Sequence, residues 1–337
     1  MNFIQKKINH LCSQLGKDHL IVQGAGGNVS WKDKEILWIK ASGTWLAQAN
    51  EKNIFVPVNL IDIKNKISKN DFKITIKNLD QSHLKPSIET ILHIVMPQKF
   101  VVHLHPVNIF TRMLQKDIGW LNKIQDHFLF KNFLVLDYVQ PGATLARLLH
   151  QNIDIKKNEK LIFLKNHGII YGADDLDELN DALEELFSIF KIDPEVNQFK
   201  KISQKRLGFV LSGNQYSPIQ SNTLNQLVMD NNLYDLIEEN WAICPDHIVF
   251  LGEQAYCFDK LPVSENEIHA IPQVIFVKNQ GIYVREDWKS SQEAQLQFFY
   301  EVLRRLPKKT KISLLEKSEI NKLLDWDQET YRKNLKN

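Results

Sequence analysis

Cysteine is scarce: three of 337 residues, Cys12, Cys244 and Cys257, scattered and odd in number. That excludes a disulfide framework and a cysteine-based metal cluster, and fits reduced thiols in a cytosol. Net charge is missing too. Lys and Arg number 42 against 40 Asp and Glu, so neither nucleic acid nor an anionic membrane is an expected partner. No apolar run approaches the roughly 20 residues of a membrane span. The opening MNFIQKKINH has no signal-peptide core, so the expected location is cytoplasmic. What remains is an ordinary globular composition with enough length for one large domain or two smaller ones.

The apolar pattern alternates between helical and extended periods. Residues 3–15 place Ile4, Ile8, Leu11 and Leu15 at helical spacing. The stretch LIVQGAGGNVSWKDKEILWIKASGTWL reads as a strand, a tight glycine loop and a hairpin crossing Lys32–Lys34. SIETILHIVMP reads as a helix ended by Pro97, and KFVVHLHP as a strand. FLVLDYVQPG and KLIFLKNHGIIYG read as two further strands. DDLDELNDALEELFSIF is an amphipathic helix with Leu176, Leu179, Leu183, Leu186 and Phe190 on one face and Asp174 as the expected N-cap. The order gives a layered α/β domain ending near residue 205.

FVVHLHP carries the chemistry. Residues i and i+2 of a strand project to the same side, so His103 and His105 offer two parallel imidazoles, a natural grip for a divalent transition metal. LKNHGII supplies His167 at the end of an apolar strand, and KPSIETILH supplies Glu89 near the start of a helix. His93, one turn beyond Glu89, is read as a packing residue. Three imidazoles and one carboxylate suit a catalytic zinc with an exchangeable position.

The set GGNVS, KASGT, PSIET…H, HLHP and KNHG, in this order, resembles the class II aldolase/adducin family. The likeness is strongest from Gly24 to Leu186. It is closest to the aldolase half of bifunctional rhamnulose-phosphate aldolase/short-chain dehydrogenase proteins, where PSIET and a later PDH segment like CPDHIVF are typical. The dehydrogenase half's G-x-G-x-x-G fingerprint follows no strand here. The resemblance implies a three-layer α/β/α fold around a mixed, largely antiparallel sheet. It also implies that His103, His105 and His167 hold Zn²⁺ or another divalent transition metal, with Glu89 shuttling the proton through a metal-stabilised enediolate. Asn28, Ser42, Gly43 and Ser87 match the family's phosphate-binding positions. A second Ser found in simple fuculose-phosphate aldolases is Ile88 here, leaving Lys40, Thr44 or Lys85 to complete the phosphate site. LDYVQPG matches a segment supplying a catalytic Tyr in fuculose-phosphate aldolases and an Asp in 4-epimerases. Tyr138 is preferred, with Asp137 the alternative. The family's subunit-bridging sites imply a homo-oligomer, with a tetramer favoured.

An echo lies in the C-terminal third. LIFLKNHGI (161–169) and VIFVKNQGI (274–282) share six of nine residues at an offset of 113. The strand FLVLDY precedes the first, and HIVFLG, read as a strand, precedes the second. The helix SSQEAQLQFFYEVLRRL follows the second copy. This reads as a degenerate partial repeat in which Gln280 stands for His167, so no matching metal site is expected. Convergence of two strand–turn–helix units is the alternative. The tail LLDWDQETYRKNL reads as a short amphipathic helix. The expected division is a catalytic domain over 1–210 and a metal-free C-terminal α/β unit over 215–337.

The expected function is retro-aldol cleavage of a phosphorylated ketose to dihydroxyacetone phosphate and an aldehyde. A sugar-phosphate 4-epimerase, a sugar-acid phosphate decarboxylase and a non-catalytic adducin-like scaffold are the alternatives. The four convergent polar groups argue against the scaffold.

Overall fold

The computed structural model describes residues 3–125, 127–195, 206–261, 268 and 270–324. The chain forms two compact units, one within residues 1–191 and one within 192–329.

The first unit begins with α1 (Phe3–Lys17), whose Ile8, Leu11, Cys12 and Leu15 are buried. The next elements are β1 (Asn28–Asp33), β2 (Ile36–Lys40), β3 (Phe55–Asn59), α2 (Leu60–Ser68) and α3 (Thr90–Val95). They are followed by β4 (Phe100–Leu104), α4 (Val107–Leu114), β5 (Phe133–Leu136), α5 (Ala143–Asn152), β6 (Leu161–Leu164), β7 (Gly168–Ala173) and α6 (Leu176–Ile189). Seven strands form one sheet in the order β3-β2-β1-β4-β7-β6-β5. All neighbours are antiparallel except β5 and β6, which α5 joins as a parallel pair.

Strand alternation gives the sheet two apolar faces. Val101, Ile162, Leu164 and Ile170 pack with Leu60 and Ile63 of α2, Ile91 and Leu92 of α3, and Leu145 and Leu149 of α5. On the other face Phe163 meets Trp120 and Phe190 at ring-centroid distances of 5.2 and 6.0 Å. Helical cover on both faces makes the three-layer α/β/α architecture.

Several local expectations change. LIVQ is not a strand; the carbonyls of Leu20 and Ile21 instead accept from Val107 and His105 just past β4. The β1–β2 hairpin turns at Lys34 and Glu35, with Lys34 at φ +52°. KLIFLKNHGIIYG folds back on itself as β6 and β7, so His167 lies in the turn and not at a strand end. The cap of α6 is Asp175, which accepts from the backbone N–H of Asp177 and Glu178. Asp174 accepts instead from the Lys99 N–H at 2.9 Å.

The second unit contains β8 (Phe209–Leu211), β9 (Asn214–Pro218), α7 (Gln226–Met229), α8 (Asn231–Glu239) and α9 (Pro245–Leu251). Then come β10 (Cys257–Phe258), β11 (Val274–Val277), β12 (Gly281–Arg285), α10 (Ser290–Leu303) and α11 (Lys317–Leu324). HIVFLG lies in α9 and is not a strand. Pro245 sits in the first turn, where its missing N–H costs nothing, and the helix is buried along its whole length. The strand preceding the second copy is β10. Residues 325–335 of the expected tail helix lie outside the described residues.

The five strands here are ordered β10-β11-β12-β9-β8. β10 and β11 are parallel and the other neighbours antiparallel. The run β5-β6-β7-β4-β1 has the same order, the same directions and the same chain sequence. Register agrees as well. Leu161↔Tyr171 through Leu164↔Gly168 become Val274↔Val284 through Val277↔Gly281, each residue moved by 113. Among the described residues the second sheet has no counterparts of β2 and β3.

Candidate metal and substrate site

β1 and β4 pair with Asn28 opposite His103, and β4 and β7 pair with His103 opposite Ile170. This puts Asn28, Ser30, Val101 and His103 on the sheet face covered by α3, the helix that follows Glu89. His105 lies just past β4 and His167 in the β6–β7 turn, where Asn166 at φ +54° makes the reversal. Glycine is required at 168. A Cβ there would lie 2.3 Å from the Leu104 carbonyl oxygen and 2.8 Å from Cδ2 of His105.

All three imidazoles are buried, and their ligand nitrogens lie within 4.8 Å of one another. Nε2 of His103 stands 3.0 Å from Nε2 of His105 and 3.2 Å from Nε2 of His167. Nδ1 of His103 donates to the Ile169 carbonyl at 2.9 Å, leaving the lone pair on Nε2, inside the cluster. Glu89, 6% exposed, straddles the group, with Oε2 3.4 Å from Nε2 of His103 and Oε1 3.4 Å from Nε2 of His167. Nitrogens bound to one tetrahedral ion at ~2.0–2.1 Å stand roughly 3.3–3.4 Å apart. The spacing, the outward anchor on His103 and the adjacent carboxylate fit a divalent transition ion held by His103, His105 and His167.

The surroundings hold this group in place. Asn28 Nδ2 donates to Oε2 of Glu89 at 2.8 Å, so the amide expected at the phosphate meets the carboxylate. The Ser87 hydroxyl accepts from the Glu89 N–H at 3.2 Å. His93 is fully buried, and its Nδ1 bonds the Ser30 hydroxyl at 2.8 Å. Burial, followed by the nearby His103, pushes His93 well below the usual histidine range, so it is neutral. The glycine loop leans on the cluster: a Cβ on Gly26 would stand 3.2 Å from Nδ1 of His105.

Ser42 and Gly43 occupy the turn after β2, with Gly43 at φ +75°. Ser42 N–H donates to the Lys85 carbonyl at 2.8 Å, and Ala41 bridges to Pro86. The Ser42–Gly43 turn is thereby tied to the segment carrying Ser87. Thr44 donates its hydroxyl to the Ala41 carbonyl at 2.7 Å. Asp137 and Tyr138 follow β5. Asp137 is exposed and pairs with Lys165 at 2.7 Å, while Tyr138 is half-buried. Sequence reasoning missed Ser30, which was readable as the i+2 neighbour of Asn28. Lys40, named as a candidate for the phosphate, donates to the backbone carbonyls of Ala25 and Thr44.

In the second sheet, register puts Pro218 where His103 stands, Gln220 where His105 stands and Gln280 where His167 stands. Among the described residues one cluster can hold a metal ion, that of the first unit. All three cysteines are free, and no described helix is long and apolar enough to cross a membrane.

Known proteins are similar to this chain in sequence or fold. An uncharacterized oxidoreductase of Bacillus subtilis, YuxG, is 26% identical over 64% of this chain, which spans about a third (32%) of that protein. An L-fuculose phosphate aldolase of Methanococcus maripaludis is 30% identical over 55% of this chain and 91% of its own length. The solved N-terminal class II aldolase domain of a conserved Thermoplasma acidophilum protein is 23% identical, covers 56% of this chain and 92% of its own, and has a TM-score of 0.47. Residues 6–193 match the class II aldolase and adducin N-terminal domain, and the chain belongs to that family.

Proposed function

We propose that the first unit is a zinc-dependent lyase that cleaves a phosphorylated ketose to dihydroxyacetone phosphate and an aldehyde. The observation that carries this reading is the convergence of three imidazole Nε2 atoms and the Glu89 carboxylate in one buried group. A divalent ion held by His103, His105 and His167 supplies Lewis-acid polarisation of the substrate carbonyl.

The chain's own groups do the rest. Glu89 is the acid–base group at the donor carbon, delivering a proton there once the carbon–carbon bond is cleaved and removing one in the reverse direction. Its two oxygens are held apart in role: Asn28 and His103 engage Oε2, and Oε1 faces His167. The Ser87 hydroxyl fixes the backbone that carries it. The segments of Asn28, Ser42, Gly43 and Ser87 receive the substrate phosphate through backbone N–H groups and small polar side chains. Tyr138 exchanges the proton at the far hydroxyl. The pairing of Asp137 with Lys165 supports Tyr138 over Asp137 in that role, and so an aldolase over a 4-epimerase. The working form is a homo-oligomer in the cytoplasm, with residues 1–210 as the catalytic domain.

The test loads the protein with zinc and supplies fuculose and rhamnulose 1-phosphates. Dihydroxyacetone phosphate and lactaldehyde are the expected products. Glu89→Gln should slow proton exchange at the donor carbon by about 10²–10⁴-fold with the fold intact. Wild-type exchange in that variant removes Glu89 from the mechanism.

A further inference from the structure

Lys40 closes β2 and is 1% exposed. A buried ammonium costs several kcal/mol unless hydrogen bonds replace its water. Here Nζ donates to the carbonyl of Ala25 at 2.9 Å and to that of Thr44 at 2.6 Å. These two carbonyls belong to different segments. Ala25 lies in the glycine loop that leads to Asn28, and Thr44 directly follows Ser42 and Gly43.

Both segments are intrinsically loose. Gly24, Gly27 and Gly43 have φ of +56°, +65° and +75°, and glycine loses more backbone freedom on ordering than any other residue. The β1–β2 ladder, paired from Ser30↔Ile39 onward, brings the two segments side by side, but it stops short of Ala25 and Thr44. A cation with two carbonyls in its grip joins them beyond the end of the ladder. It also draws C=O groups inward, and it adds positive charge beneath loops that are to meet an anion. Lys40 thus engages backbone oxygens of both segments.

We infer that Lys40 is a positioning residue whose buried ammonium locks the glycine loop to the Ser42–Gly43 turn, so that the two form one cradle for a phosphate dianion. The inference rests on the proposed aldolase reading. It adds to that reading a residue that positions the phosphate loops without belonging to them.

The experiment uses the full chain loaded with zinc and compares solvent-proton exchange into dihydroxyacetone phosphate and into unphosphorylated dihydroxyacetone. In Lys40→Met, zinc content stays at the wild-type stoichiometry. The preference for the phosphorylated compound falls at least tenfold, with the loss appearing in KM rather than kcat. Equal losses for both compounds, or an unchanged KM for dihydroxyacetone phosphate, overturn the inference while leaving the metal site standing. Wild-type protein that exchanges neither compound overturns the aldolase reading and this inference with it. A second measurement needs no variant. Dihydroxyacetone phosphate should slow amide hydrogen exchange in residues 24–28 and 41–45 of the wild-type protein together; protection of one segment alone, or of neither, overturns the shared cradle.

Discussion

The β6–β7 turn and the β11–β12 turn differ by one chemically decisive residue. Each closes with an asparagine in the left-handed region, Asn166 at φ +54° and Asn279 at φ +57°. The next residue's N–H bonds back to the end of the first strand, His167 to Leu164 at 3.1 Å and Gln280 to Val277 at 3.0 Å. Yet one turn delivers an imidazole to a metal-type cluster and the other delivers an amide, a poor ligand for zinc. The backbone that presents a ligand and the ligand itself are thus separable. The two sheets share a strand order and register, and among the described residues one of them carries the metal-type cluster.

The sharpest way to break this comparison is to remove the ligands. His103→Ala or His167→Ala should abolish zinc retention, measured by elemental analysis of purified protein. Gln280→His should leave stoichiometry unchanged, because Pro218 and Gln220 offer its imidazole no partners. Unaltered zinc in the first pair removes the ligand assignment.

The glycines after the two turns come next. Gly168→Ala forces a Cβ against backbone at 2.3 Å, whereas Gly281→Ala meets the movable Arg206 guanidinium at 2.7 Å and strains a φ of +149°. Each should cost about 1–3 kcal/mol in denaturant unfolding. Only Gly168→Ala should also lower zinc content, since His105 lies against that position.

Each unit buries a histidine whose affinity for a proton is lowered by burial, and the two differ in their partners. His93 in the first unit has Ser30 as a partner. His247 in the second is fully buried against Trp241 and Phe299, at centroid distances of 4.3 and 4.5 Å, and neither ring nitrogen has a hydrogen-bond partner among the described residues. Burial pushes His247 down to about 3. The unfolded chain takes up a proton below roughly 6.5 while the folded one does not until near 3. His247 therefore withdraws stability as pH falls through that window and has no such effect above it. The slope reaches about 1.4 kcal/mol per pH unit at most. Urea midpoints from pH 7 to 4 should fall less steeply in His247→Leu than in wild type; parallel slopes refute the assignment. The smallest effect belongs to the exposed Asp137–Lys165 pair. Asp137→Asn should change stability by no more than about 1 kcal/mol and leave product formation near wild type, whereas Tyr138→Phe should slow it.

These contrasts bear on what the sequence alone could tell. The juxtaposition of His103 and His105 was legible because strand alternation is rigid and puts residues two apart on one side. The likeness of the two turns was legible because their offset of 113 holds through four paired positions. The misreadings were of another kind. HIVFLG is apolar throughout, and a short uniform apolar run does not distinguish a buried helix from a strand. LIVQ met its partners through loop carbonyls across 80 or more residues, which no local pattern encodes. The role of Lys40 was hidden for the same reason, as its acceptors are backbone oxygens and carry no residue signature.

The pairing of β4 with β7 has a consequence for how the protein matures. His103 and His167 stand 64 residues apart in the chain and meet only across that ladder. The β6–β7 turn can close early and locally, but long-range strand pairing is slow. Competence to capture an ion is thus acquired late on the folding route, and uptake of a coloured substitute such as cobalt would time the last step of assembly.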